Sequence, residues 1–184
     1  MALDTQENEV KASENMSEKA CIPLSDYANK IQMSRNVTSK KISAIGIDPV
    51  LIEGKNFRPD CLPPVESTDL LFNLVLETSY YTKQQCKAFR SLQAYNQMVS
   101  GFISSVQGHI VKDNFVVLAK VRHSQGMNDS LIPVWIITEK QGTIISAHCC
   151  GCKAGLGESC SHVASVLFYL EAWTKINGKN HARK

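Results

Sequence analysis

Four cysteines and two histidines stand close together in the stretch HCCGCKAGLGESCSH, which covers residues 148–162. Three of these cysteines and the second histidine form the pattern Cys-x-Cys-x7-Cys-x-His, made by Cys150, Cys152, Cys160 and His162. Thiolate sulfur and imidazole nitrogen are the usual ligands of structural zinc, which takes four of them in a tetrahedron. Because four protein ligands leave no position for water, the pattern predicts a structural zinc (Zn2+) site and not a catalytic one.

The local geometry is compatible with this interpretation. Residues two apart in a strand lie about 6–7 Å apart, whereas two sulfurs on one zinc lie about 3.7 Å apart. The chain must therefore curl at Gly151, which glycine permits. We expect Cys160 and His162 at the start of a helix capped by Ser159 or Ser161, where the helix dipole favours thiolate over thiol.

The adjacent Cys149 leaves two registers open. Cys150 gives Cys-x-Cys with Cys152, whereas Cys149 would give Cys-x-x-Cys. Neighbouring strand residues point to opposite faces of a sheet, so only one of the two sulfurs is expected at the metal. We take Cys150 as the ligand and Cys149 as a small hydrophobic group facing away. A turn at Gly151 can bring either sulfur to the metal, so the second register stays open.

Other uses of the cluster fit the sequence less well. The first 20 residues lack the basic and apolar regions of a signal peptide, which indicates a reducing nuclear or cytoplasmic compartment where disulfides are rare. Seven cysteines is an odd number that disulfides alone would not use up. A Cys/His nucleophile would leave three thiols of the cluster unexplained. The following residues are interpreted as ordinary surface or core groups: Cys21, Cys61, Cys86, His109 and His123.

The chain divides into four predicted parts. Residues 1–40 form a disordered or extended tail, and 41–64 an extended arm or a linker. Residues 65–175 form the folded domain, with the zinc-binding core at about 134–173, and 176–184 are a basic tail. No run of 18 apolar residues occurs, so no membrane span is expected.

Two helices are predicted before the sheet. Pro63 and Pro64 precede a short helix that Ser67 or Thr68 can cap. Thr82 and Gln85 then form the capping box of a helix of about five turns. Its core face is expected to carry the apolar residues that recur every three or four positions: Cys86, Phe89, Leu92, Tyr95, Val99 and Phe102.

After this helix, the spacing of apolar residues changes to the alternation that is typical of strands. NFVVLAKVRHS, IPVWIITEK and GTIISAHC predict three strands, and a tight turn at Gln141-Gly142 joins the last two. A final helix is predicted from its apolar positions: Val163, Val166, Leu167, Leu170 and Trp173. The order predicts an α+β fold in which the zinc site joins a three-stranded antiparallel sheet to the C-terminal helix.

The ligand pattern, followed by an apolar helix, resembles the SWIM-type zinc finger. Its context KAGLGESCSHVASVLFYLEAW and the upstream segment YTKQQCKAFRSLQAYNQMVSGF resemble a group of animal proteins, many derived from mobile elements. In that group a SWIM-type finger precedes a YqaJ-type viral-recombinase nuclease domain. The resemblance covers about residues 40–175 and implies a nuclear, transposon-derived or DNA-processing protein.

Catalysis is not expected in this chain. YqaJ-type exonucleases resemble two-metal nucleases that use carboxylates and a Glu-x-Lys triplet. The triplet Glu53-Gly54-Lys55 lies in a loop-like segment before the folded domain, and we interpret it as chance. The sequence stops at Lys184, where the nuclease domain of the resembling proteins would begin. One reading is therefore an accessory part of such an exonuclease whose catalytic domain is absent here.

The charge distribution favours a binding module. Residues 61–184 carry 12 Lys/Arg against 8 Asp/Glu, a net of +4, and a mildly basic domain can contact nucleic acid. The candidate phosphate contacts are Lys153, Lys175, Lys179, Arg183 and Lys184. Each of them also fits as an ordinary solvated charge. DNA is the first expected partner. The alternative is a zinc-stabilised adaptor that binds a protein partner or a separate nuclease domain, and no membrane contact is expected.

Overall fold

The computed structural model describes residues 44–77, 84–123, 129–150 and 160–181, with the backbone alone for 75–77, 84–91 and 178–181. Two short 3-10 turns, Pro49–Leu51 and Gly54–Asn56, come first. The later elements are helix α1 (Ser67–Leu71) with a π-helical turn (Phe72–Glu77), helix α2 (Gln84–Val99), strands β1 (Ile103–Val111), β2 (Asn114–Val121), β3 (Ile132–Glu139) and β4 (Ile144–Cys149), and helix α3 (Ser161–His181).

The predicted α+β class is confirmed, but the sheet has four strands and not three. Its order is β1-β2-β3-β4, and each strand pairs antiparallel with the next. The predicted turn at Gln141-Gly142 joins β3 to β4, with Gly142 at φ 105°. The Glu139 N–H donates to the Thr143 carbonyl at 2.8 Å and closes this turn.

The additional strand is β1, and the end of helix α2 explains it. The Phe102 N–H donates to the Gln97 carbonyl at 3.1 Å, and the Gly101 N–H donates to the Met98 carbonyl at 3.2 Å. These bonds, with Gly101 at φ 72°, make a Schellman motif, which ends a helix. Phe102, which was expected on the helix, therefore leads into β1. The predicted capping residue Thr82 lies outside the described residues.

The outer edge of β1 carries a backbone contact from the N-terminal segment, defined here as residues 44–58. The Gly108 N–H donates to the Arg58 carbonyl and the Arg58 N–H to the Gly108 carbonyl, both at 2.8 Å. A Cβ at position 108 would lie 1.7 Å from the carbonyl oxygen of Cys61. Only glycine allows the chain to approach β1 this closely.

Helix α3 covers one face of the sheet, and the core lies between them. The predicted apolar positions Val163, Val166, Leu167 and Leu170 are all fully buried there, against sheet residues that include Val117, Val134 and Ala147. Helix α3 continues to His181, through residues that the sequence had assigned to the basic tail. No helix in the described parts of the chain is long and apolar enough to cross a bilayer.

The N-terminal segment covers the other face of the sheet. Ile45 and Phe57 pack there against Val116, Trp135 and Ile137, and all five are buried. The sequence left open whether this region is a docked arm or a linker. In the structure, residues 44–58 are packed on the sheet as a docked arm would be.

Helix α2 packs on α3, and its orientation differs from the prediction. Leu92, Tyr95 and Val99 were expected to face the core, but their side chains are 60%, 47% and 61% exposed, so this expectation is wrong. Helix α2 buries Ala94 and Gln97 instead. Tyr95 still touches α3 by one edge, because its ring lies 5.7 Å from that of Phe168, while Leu92 and Val99 turn outward. We call Leu92, Tyr95 and Val99 the outer stripe of α2.

Candidate metal centre

The candidate metal centre lies where strand β4 ends and helix α3 begins. Cys149 is the last residue of β4, Cys160 directly precedes α3, and His162 lies in the first turn of α3. Cys149 pairs with Val134 of β3, and Val134 faces α3. Because residues directly opposite each other share a face of a sheet, the Cys149 sulfur points toward the start of α3.

These three side chains form a compact cluster of possible metal ligands. One ligand atom from each of Cys149, Cys160 and His162 lies within 4.8 Å of the others, and we call this set the metal cluster. The Cys149 Sγ is 3.9 Å from the His162 Nδ1. Ligands of one tetrahedral zinc lie about 3.5–3.7 Å apart, so a small contraction would place all three on one ion. The side chains are buried, with 0%, 3% and 6% exposure.

Cys160 occupies the capping position of helix α3. The Val163 N–H donates to the Cys160 Sγ at 3.4 Å, and the Ala164 N–H donates to the Cys160 carbonyl at 3.1 Å. The Val163 amide is one of the first-turn N–H groups that lack an intrahelical acceptor, whereas the Ala164 bond is the first regular bond of the helix. The helix dipole adds positive potential at this sulfur. This environment favours the thiolate form that a metal needs. The helix was expected to be capped by Ser159 or Ser161, but Ser161 is its first helical residue, and Ser159 lies outside the described residues.

Cys150 lies on the opposite face of the sheet from the metal cluster. It packs in the group of buried residues that contains Ile45 and Trp135. Burial and, to a smaller extent, the carboxylate of Asp48 raise the pKa of the Cys150 thiol to about 11, against the lowering effect of a hydrogen bond with Trp135. A thiol with this pKa stays protonated at neutral pH, and a protonated thiol is a poor metal ligand.

The structure thus brings Cys160 and His162 together with Cys149, and it does not bring Cys150 to them. The sequence left two registers open, and we preferred the one in which Cys150 is the ligand. In the structure, Cys149 lies with the other two candidate ligands instead. The physical reason is strand alternation. Ala147 of β4 faces α3, so Cys149, two residues further, faces α3 as well.

The remaining sequence-based candidates fall largely outside the described residues. Cys152 and Lys153 belong to 151–159, Arg183 and Lys184 follow residue 181, and the side chain of Lys179 is not described. Lys175 forms an ion pair with Glu171. Glu53 and Lys55 of the Glu-x-Lys triplet form an exposed ion pair at 2.6 Å in a 3-10 turn.

His123 is a neighbour of the metal cluster that the sequence interpretation missed. Its ring centroid lies 5.7 Å from that of His162, and the two ring planes meet at 68°. Strands β2 and β4 both run antiparallel to β3, so their C-terminal ends lie at the same end of the sheet. His123 follows β2 by two residues and Cys149 ends β4. The nearness of His123 to the metal cluster could have been predicted from this topology, but only with knowledge of the strand order.

Comparison of the sequence with models of protein families, with characterised proteins and with solved structures finds no significant match. The resemblance to the SWIM-type zinc finger therefore stays a prediction from the sequence.

Proposed function

We propose that this chain is a non-catalytic binding module whose fold is stabilised by one zinc ion. Three of the proposed ligands are Cys149, Cys160 and His162, and the fourth is Cys152, which the sequence places three positions after Cys149. The observation that carries the proposal is the buried metal cluster between β4 and α3. Sulfur and imidazole nitrogen favour zinc over magnesium or calcium, which prefer oxygen ligands.

The position of the metal cluster supports a structural role for the ion. A bound ion would fasten the end of β4 to the first turn of α3, and the later turns of α3 carry Val166, Leu167 and Leu170 into the core. Metal binding would then be coupled to formation of the helix–sheet interface. Four protein ligands would leave no coordination position for a substrate, which argues against a catalytic metal.

The test of the metal site uses the full chain, purified under reducing conditions without added metal. We expect close to one equivalent of zinc by elemental analysis. A strong chelator should lower the melting temperature and loosen the packing of Trp173, which lies on α3. Cys160→Ser should lose most of the metal, whereas Cys61→Ser, outside the cluster, should retain it. A folded, reduced protein without metal would contradict the proposal.

The proposed partner of the module is nucleic acid. The support is the net charge of +4 over residues 61–184 together with the candidate contacts Lys153, Lys179, Arg183 and Lys184. Lys175 contributes less to this proposal, because Glu171 compensates its charge. Phosphate contacts release counterions, so the affinity for duplex DNA should fall steeply as salt is raised. Replacing these four candidates, Lys153, Lys179, Arg183 and Lys184, by glutamine should reduce that slope.

The second candidate is a zinc-stabilised protein-interaction adaptor, which the outer stripe of α2 favours. Leu92, Tyr95 and Val99 put apolar surface in solvent along one side of a helix, and such surfaces are frequent at protein interfaces. The salt titration separates the two candidates. An adaptor should show weak DNA binding that the four glutamine substitutions leave unchanged.

A further inference from the structure

Two neighbouring histidine rings beside the metal cluster each carry a buried ring nitrogen. The Nδ1 of His123 and the Nε2 of His162 are both shielded from solvent, and neither has a hydrogen-bond partner among the described residues. The two rings are in edge contact, with centroids 5.7 Å apart. Buried polar atoms in proteins are almost always hydrogen-bonded, so this pair calls for a functional explanation.

The orientation of the His162 ring assigns a role to each of its nitrogens. The Nδ1 is the nitrogen that lies 3.9 Å from the Cys149 Sγ, on the side of the metal cluster. A neutral imidazole that binds a metal through Nδ1 carries its proton on Nε2. Metal-bound histidines generally donate this second N–H to a fixed acceptor, which sets the ring orientation and strengthens the ligand.

His123 offers such an acceptor. Its neutral ring with the proton on Nε2 leaves a lone pair on Nδ1, the atom that is buried without a described partner. The backbone beside it is held in place, because the Arg122 N–H donates to the Phe102 carbonyl at 2.8 Å. His123 is not one of the three residues whose ligand atoms cluster within 4.8 Å, so its place is behind the ligand and not on the metal.

We propose that His123 is a positioning residue of the metal centre, whose Nδ1 accepts a hydrogen bond from the Nε2–H of metal-bound His162. The inference rests on the proposed metal site and adds an outer partner to it. The edge contact of the two rings brings the donor and the acceptor into the same buried neighbourhood. The end of strand β2 would then be tied to the metal as well, in addition to β4 and α3.

The test uses the full chain with cobalt(II) as a spectroscopic substitute for zinc. Two variants separate shape from hydrogen bonding: His123→Leu fills similar space without an acceptor, and His123→Asn restores an acceptor oxygen near the Nδ1 position. His109→Leu is the matched control, because His109 also contacts an aromatic ring, that of Phe57 at 5.9 Å, but lies on the strand at the far edge of the sheet. Cobalt affinity is measured by competition with a chelator.

Wild-type protein should give the absorption bands of tetrahedral cobalt bound by thiolates. His123→Leu should weaken cobalt binding roughly 10- to 100-fold, the range seen when outer partners of metal ligands are removed, and His123→Asn should recover most of the loss. Nitrogen-15 NMR of the zinc form should show a slowly exchanging His162 Nε2–H in the wild type and in His123→Asn. In His123→Leu this proton should exchange rapidly with solvent, and His109→Leu should match the wild type.

The possible failures are distinguishable. Absence of cobalt bands in the wild type would contradict the proposed metal site itself. Wild-type affinity and a protected Nε2–H in His123→Leu would overturn the role of His123 while leaving the metal site in place. A change of the cobalt spectrum in both variants would show His123 to be a direct ligand and would also overturn the inference.

Discussion

Cys149 and Cys150 are neighbours in the chain but lie on opposite faces of the sheet. Cys149 faces helix α3 and the metal cluster, whereas Cys150 packs on the face covered by the N-terminal segment. Two adjacent thiols therefore have different chemical surroundings. The Cys149 sulfur is close to a helix N-terminus and an imidazole, whereas burial raises the pKa of Cys150 to about 11.

The first prediction separates these two cysteines. Cys149→Ser should lower the zinc content well below one equivalent and weaken metal affinity sharply, because it removes a ligand of the metal cluster. Cys150→Ser should leave the zinc content near the wild-type value, with a modest loss of stability from the changed packing. Elemental analysis and thermal melting of both purified variants check this. The opposite pattern would mean that the register at the end of β4 differs by one residue.

The second prediction concerns the close approach at Gly108. Gly108→Ala would force a methyl group against the carbonyl oxygen of Cys61, 1.7 Å from the ideal Cβ position. Both partners are backbone, so the N-terminal segment must move away from β1 and lose its bonds through Arg58. We expect the free energy of unfolding to fall by at least about 2 kcal/mol, as for other overpacked sites. Urea denaturation measures this.

Gly54→Ala is the matched control for that experiment. No atom lies within 4 Å of a Cβ built at Gly54, so the change in free energy of unfolding should stay within about 1 kcal/mol. Equal losses in the two variants would show that the contact of the N-terminal segment with β1 contributes little to stability.

The third prediction is a pH dependence at Glu171, which links α1 to α3. The Glu171 Oε1 accepts a hydrogen bond from the Ser67 Oγ at 2.5 Å, and Lys175 forms an ion pair with the same carboxylate. Burial alone would raise the pKa of Glu171, but the bonds from Lys175 and Ser67 outweigh it and lower the pKa from its ordinary value of 4.5. Folding therefore favours the ionised carboxylate.

A lowered pKa in the folded state stabilises the protein above the unfolded pKa, and this contribution is lost as the pH falls through the folded pKa. Glu171→Gln should therefore be less stable than the wild type at pH 6–7, and the two melting temperatures should converge as the pH falls below 4.5 and through the lowered pKa of the folded state. Glu53→Gln, which removes only an exposed ion pair, should track the wild type throughout. A difference between Glu171→Gln and the wild type that grows toward low pH would contradict the assignment.

The fourth prediction compares two leucines on neighbouring helices. Leu170 of α3 is fully buried between helix and sheet, whereas Leu92 of the outer stripe is 60% exposed. Leu170→Ala should cost about 2–5 kcal/mol of unfolding free energy, and Leu92→Ala less than about 1 kcal/mol. Denaturant titration measures both values. A large loss for Leu92→Ala would mean that the outer stripe is covered in the folded protein.

The parts of the fold that were predictable have strong local signals. Val163, Val166, Leu167 and Leu170 recur with the helical period, and all four are buried as expected. The turn at Gly142 also follows from local chemistry, because glycine accepts the positive φ of 105° found there. These features depend on residues that are close in sequence.

The parts that were missed depend on tertiary partners. Strand β1, with the sequence ISSVQGHIV, has few large apolar residues, and it lies at the edge of the sheet, where an isolated bridge to Arg58 contacts its outer side. The buried side of α2 carries the small Ala94 and the polar Gln97, which the spacing of large apolar residues does not mark as a core face. His123 reaches the metal cluster because β2 and β4 end at the same end of the sheet. The spacing of apolar residues along the sequence does not report these tertiary contacts.

The contacts that hold residues 44–67 in place bear on the order of folding. Ser67 and Glu171 are 104 residues apart in the chain, and Pro63 and Thr174 are 111 residues apart, whereas Cys149 and His162 are separated by only 13. Contacts between distant residues form late, because closing a long loop costs more entropy. We therefore expect the metal cluster and the strand pairs to assemble before Pro63 and Ser67 contact α3, and the N-terminal segment, whose Arg58 bridges Gly108 on β1, to dock only after β1 has joined the sheet. Until it docks, Trp135 and Cys150 remain open to water, and this face is the surface that a chaperone or an aggregating chain would meet during folding.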